Sequence, residues 1–131
     1  MPNTFIRQEV FCTLQLPGIH NWTDCPLDEV SYLRSPHRHV FHFKCHKIVT
    51  HDDRDCEFIM LKGRITKWLN KQYWDKKPRA LVFGSMSCEM IAQVLIDKFD
   101  LCQCEVSEDN ENGAILRVLT HNSGFSGAFV R

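Results

Sequence analysis

The chain opens on residues suited to extended strands. It changes to apolar positions at helical spacing after residue 57 and returns to strand-like runs after residue 100. Residues 4–16, Thr-Phe-Ile-Arg-Gln-Glu-Val-Phe-Cys-Thr-Leu-Gln-Leu, are rich in β-branched and aromatic side chains and predict a long strand. Pro17-Gly18 is expected to break it, which leaves His20 and Trp22 in a loop running to about residue 36. Loops of this length in compact domains are often functional. Residues 37–50 predict a second strand. Because residues i and i+2 of a strand share a face, His39, Phe41, Phe43 and Cys45 form its more apolar side. Val40, His42, Lys44, His46 and Ile48 form the other. The polar run His51-Asp52-Asp53-Arg54-Asp55 ends the strand.

Across residues 57–70 the pattern is helical: Phe58, Leu61, Ile65 and Leu69 recur at near-helical spacing, and Glu57 suits the positive end of the helix dipole. Residues 71–79 are polar and read as a linker, followed by the short apolar run Leu81-Val82-Phe83, closed by Gly84. Ser87 is a good N-cap for a second helix carrying Ile91, Val94, Leu95 and Phe99 inward. Two strands at 101–107 and 114–120 follow, with Asn112-Gly113 as the hairpin signal between them. The tail 121–131 is rich in Gly and Ser. The order strand, strand, helix, helix, strand, strand predicts an α+β fold: a four-stranded antiparallel sheet with both helices on one face, in one domain over 1–131.

Composition narrows the function. Lys plus Arg and Asp plus Glu are both 16, so the formal charge is zero; this argues against a general nucleic-acid or membrane-surface binder. It also favours self-association. The seven cysteines are an odd number, no Cys-x-x-Cys pair occurs, and no secretory leader or membrane-length run is seen. Reduced thiols in a cytoplasmic setting are the expectation.

The candidate chemistry centres on His37-Arg38-His39. Both histidines of this pair point to one face of the second strand, close enough to share a metal ion. Taken alone, His-x-His is a weak signal, since histidines are more often simply hydrogen-bonded or exposed. His42 and His46 fall on the opposite face and read as surface. Arg38 and Arg34, with Lys71, Lys76, Lys77 and Arg79, could meet phosphates or form a solvated charged face. Trp22 and Trp74 lie in predicted loops and could stack on a planar ring.

Several stretches together resemble the tunnelling fold, and within it the 6-pyruvoyl- and 6-carboxy-tetrahydropterin synthases. His20 follows the first strand as that family's first zinc histidine does, and His37-Arg38-His39 stands where the family has His-Gly-His. Arg54-Asp55-Cys56-Glu57-Phe58-Ile59-Met60-Leu61-Lys62 and Ser85-Met86-Ser87-Cys88-Glu89 resemble its two helix starts. Cys104-Glu105-Val106-Ser107-Glu108 with Ala114-Ile115-Leu116-Arg117 resembles its last hairpin. The resemblance implies Zn2+ on His20, His37 and His39, and Glu108 as the carboxylate that anchors a pterin or purine-like ring. It also implies a homo-oligomeric barrel of hexamer type. Three departures stand out. No cysteine lies just before His-x-His, so Cys25 could be the catalytic thiol only if its loop folds back, and no histidine lies between His51 and His121 to serve it. Asp24 and Asp28 beside Cys25 would disfavour a thiolate. Arg38 replaces the family's Gly and brings a cation toward the ligand pocket. Two functions are implied: a zinc-dependent synthase acting on a dihydroneopterin-triphosphate-like substrate, or a binding protein of the same fold that captures a purine-like or nucleotide ligand.

Overall fold

The computed structural model describes residues 4–119. Two long strands, β1 (Gln8–His20) and β2 (His37–Val49), pair antiparallel from Gln8↔Val49 to His20↔His37, with a 3-10 segment at Asp28–Arg34 in their connection. Then come α1 (Phe58–Tyr73), β3 (Trp74–Asp75), β4 (Ala80–Gly84), α2 (Cys88–Phe99), β5 (Gln103–Glu108) and β6 (Asn112–Arg117). The strands form one sheet in the order β3-β4-β1-β2-β5-β6, in which only β1 and β4 run parallel.

The fold is α+β as expected, but the sheet is mixed and has six strands, not four antiparallel ones. The stretch read as a linker and a short apolar run is the β3–β4 hairpin. Ala80, Leu81 and Phe83 are buried on β4, which pairs with the Gly18–His20 end of β1. The hairpin thus shields the strand edge next to His20, where an exposed edge would be a liability.

Nor does Pro17-Gly18 end the first strand, which continues to His20. Val40, opposite Pro17, directs both its backbone groups away from β1, the N–H to Asp109 Oδ1 and the carbonyl to the Asp109 N–H. Pro17 therefore sits in a non-hydrogen-bonded pair, where its missing N–H costs no bond to β2. Gly18 is required by close approach: a Cβ there would lie 2.6 Å from the Phe41 ring.

The last hairpin turns at Asp109 and Asn110, both with positive φ (55° and 57°), and not at Asn112-Gly113. Asp and Asn tolerate this left-handed conformation better than other non-glycine residues. Gly113 instead pairs with Ser107, where a Cβ would strike the Val106 carbonyl at 2.2 Å. The tail 121–131 lies outside the described residues.

Strand alternation sends Cys12 and Leu14 of β1, Phe41, Phe43 and Cys45 of β2, and Cys104 and Val106 of β5 into one buried cluster. The helices close it from the same side, α1 with Leu61, Ile65 and Leu69, α2 with Ile91, Leu95 and Ile96. Full burial of each large apolar side chain contributes about 1.5–3 kcal/mol. Both helix starts are capped: Glu57 Oε1 accepts from the Met60 amide at 3.0 Å, and Ser87 Oγ from the Met90 amide at 3.2 Å. Lys47 Nζ donates to the Phe99 carbonyl at 2.7 Å, a cation at the negative end of α2. Among the described residues no helix is long and apolar enough to cross a membrane.

Candidate metal centre

The same alternation that buries Phe41 and Phe43 puts His39 and His37 on the helix-covered face, one and two steps further toward the start of β2. His20, the last residue of β1, is the direct partner of His37 across the ladder. Glu108, the last residue of β5, stands opposite Phe41 on the same face. Three strand ends thus deliver four side chains to one point. One ligand atom from each of His20, His37, His39 and Glu108 lies within 4.8 Å of the others, a group that could hold a metal ion.

The imidazoles meet edge to face. Their centroids are 4.7 Å apart for His20 and His37, 5.1 Å for His37 and His39, and 5.9 Å for His20 and His39. Each Nδ1 faces an outer oxygen: Met86 O at 2.9 Å for His20, Ser35 O at 2.9 Å for His37, and Asp109 Oδ2 at 2.7 Å for His39. A carbonyl can only accept, so Nδ1 of His20 and of His37 carries a hydrogen, and in the neutral imidazole Nε2 then keeps its lone pair. Outer acceptors of this kind fix the tautomer and orientation of metal-binding histidines. The Val40 amide, and after it His39, hold the Asp109 carboxyl below the usual carboxylate range, which suits it to accept from His39.

On the inner side, Glu108 Oε2 is 2.8 Å from His20 Nε2, and Oε1 is 3.3 Å from His39 Nε2. The His20 contact is within ion-pair distance, yet Nε2 is buried and makes no aligned hydrogen bond. With a neutral His20 two lone-pair atoms face each other across that gap, a repulsion that a proton on Nε2 or a shared metal ion relieves; the donor set of three histidines and a carboxylate fits a divalent metal.

A cavity of about 500 Å³ opens beside this group. His20, His37 and Glu108 form part of its wall; Trp22, Leu33, Met86, Cys88 and Met90 supply much of the rest. The volume suits a small organic ligand, and the mixture of apolar surface with a few convergent polar groups is typical of binding sites.

The other predicted site residues are placed elsewhere. Cys25 is buried with Sγ toward the Leu27 and Val30 carbonyls, each at 3.8 Å, and does not line the cavity. Arg38 projects from the opposite face of β2 and donates to the Pro78 carbonyl at 2.8 Å and the Arg79 carbonyl at 3.2 Å, so it braces the β3–β4 turn. Trp22 lines the cavity, whereas Trp74 sits on β3 opposite Leu81. Three contributors escape sequence reading. Met86 acts through its backbone, which any residue could supply. Asp109 reads as one more acid in a polar turn, although its neighbour Glu108 was a signal. Cys88, buried in the first turn of α2, is the one cavity-lining thiol among the described residues. Burial, and after it Glu108 and Glu89, pushes its pKa up to about 12.

No family model and no curated protein matches the chain.

Proposed function

We propose that the chain is a zinc-dependent protein of the tetrahydropterin-synthase type, which takes a pterin- or purine-like ring into the cavity beside the four-residue group. The observation that carries this reading is the convergence of three histidine Nε2 atoms, with Nδ1 of each held from outside, at the wall of a cavity of about 500 Å³. Histidine nitrogens with one carboxylate suit zinc. His20, His37, His39 and Glu108 would hold it; zinc, when bound, would polarise a carbonyl or hydroxyl of the ligand's side chain where that group displaces Glu108 or adds as a fifth donor. Trp22 offers an aromatic face to a planar ring. Glu108 touches both the histidines and the cavity, which gives it a metal-side role besides the ring-anchoring one that the resemblance implies. Seven free thiols suit a cytoplasmic setting. The resemblance adds a homo-oligomeric barrel, in which the outer strands of the sheet would pair between copies.

A second reading, capture of a purine-like or nucleotide ligand without turnover, is favoured by Cys25, whose thiol faces loop carbonyls and not the cavity. One set of measurements separates the two. Metal analysis of purified protein is expected to find zinc, and absence of any metal uptake would sink both readings. Zinc-loaded protein is then offered dihydroneopterin triphosphate. Turnover supports the synthase. No turnover, with a purine or pterin retained in native mass spectra, supports capture.

A further inference from the structure

Each of the histidines is held from outside by one oxygen, and Glu108 has an outer partner too. The Cys88 thiol, 4.0 Å from Oε2, donates to a carboxyl oxygen that also faces His20. We propose that Cys88 is a positioning residue of the metal centre, whose S–H aims Glu108 at the histidines and thereby sets how tightly the group holds a divalent cation. This rests on reading His20, His37, His39 and Glu108 as a metal centre.

Three further features support it. Cys88 is only 8% exposed and lines the cavity, so its thiol sits inside the site and not on the outer surface. His20, also 8% exposed, presents to the same space a buried Nε2 that lies 2.8 Å from Glu108 Oε2 without an aligned hydrogen bond, which suits a ligand atom shared with a bound cation. The position of Cys88 is fixed by the helix start: Ser87 caps α2 through the Met90 amide, and Ile91 and Ala92 anchor the turn in the core. Glutamate has a long side chain with substantial rotamer freedom, and an outer donor reduces what must be lost when it ligates. Met86 and Cys88 lie on the same short segment. The start of α2 therefore serves two of the four donors, His20 through a carbonyl and Glu108 through a thiol.

The test is cobalt(II) titration of metal-free protein, followed by visible absorption, with thermal unfolding in parallel. Cys88→Ala is expected to weaken cobalt binding by about 10–100-fold and to change the band shape, as loss of an outer partner does. Cys88→Ser keeps a donor and is expected to stay near the wild type in both. In a Glu108→Gln background, Cys88→Ala is expected to have little further effect, because the thiol acts through Glu108. The proposal is overturned if Cys88→Ala binds cobalt with wild-type affinity and spectrum, or if its loss is undiminished in the Glu108→Gln background. Should Cys88→Ala fail to fold, Cys88→Val and Cys88→Ser decide together: weaker cobalt binding in Cys88→Val with near-wild-type binding in Cys88→Ser upholds the role, and equal binding in the two overturns it. A wild type that takes up no metal would overturn the metal centre and this role together; unaltered binding by Cys88→Ala overturns the role alone.

Discussion

Two groups of side chains occupy the same face of the same three strands and meet opposite fates. Cys12, Cys45 and Cys104 stand side by side, in register across β1, β2 and β5, and all are nearly or fully buried. Further along these strands lie His20, His37, His39 and Glu108. The thiols share a cluster with Leu61, Ile65, Ile91 and Leu95 and are neighbours across the strands. The Cys45 thiol pushes the Cys12 pKa far up, with burial adding to it; the Cys104 thiol does most to raise Cys45. Neutral thiols packed this way behave as small apolar groups. At the other end a cavity replaces the helix cover, and fixed oxygens stand behind the imidazoles. Position on a strand face offers a side chain to its neighbours. What lies above and behind it decides whether the result is core or chemistry.

The sharpest way to break this contrast is His39→Ala. Zinc affinity, read by isothermal titration against a competing chelator, should fall more than 100-fold, beyond the loss of an outer partner. Thermal stability of the metal-free protein should change little, because this side chain lies at the strand end outside the core cluster. The thiol row should behave in the opposite way. Cys45→Ser puts a hydroxyl where exposure is 0% and should lower stability in urea by about 1–3 kcal/mol, with zinc affinity retained. A matching loss of zinc affinity would show that the two ends are one unit.

The smallest effect belongs to neither end. Asp55 accepts from the Thr50 amide at 2.7 Å and its hydroxyl at 2.9 Å, and these bonds, the backbone one first, hold its carboxyl below the usual range. A pKa lower in the folded than in the unfolded chain stabilises the fold above the unfolded value. That contribution is lost as pH falls through the folded one. Asp55→Ala should therefore lower the melting temperature slightly at neutral pH, and the difference should vanish in acid. A difference that persists in acid would remove the charge from the explanation.

Much of the centre is legible in the chain because strand geometry is simple. His37 and His39 share a face by the period of two, whereas Glu108, just past the expected 101–107 strand, stands out only through the resemblance, and there as a ring anchor. The capped start of α2 is equally readable, since Ser87 and the apolar positions after it agree. What hides is set by partners distant in sequence. Pro17 looks like a breaker until Val40 is seen to turn its backbone toward Asp109. Ala80–Gly84 looks like a connector until β1 supplies its pairing edge. Asn112-Gly113 carries the stronger turn signal, yet Asp109 and Asn110 take the positive φ because Gly113 is needed for close approach to Ser107. Arg38 carries a charge that invites a ligand, but the carbonyls of the β3–β4 turn already hold it.

The contact between Asp109 and His39 spans 70 positions of sequence, and the tip of the last hairpin brings both it and Glu108 to the centre. A contact of such separation carries a loop-closure cost that must be met before it can be made. The histidines can gather once β1 and β2 pair, yet their carboxylate partners arrive only when β5 docks. A full donor set for a metal ion would therefore require β5 to be in place. On the ribosome, a chain not yet extended through residue 109 would hold a histidine cluster without its acids.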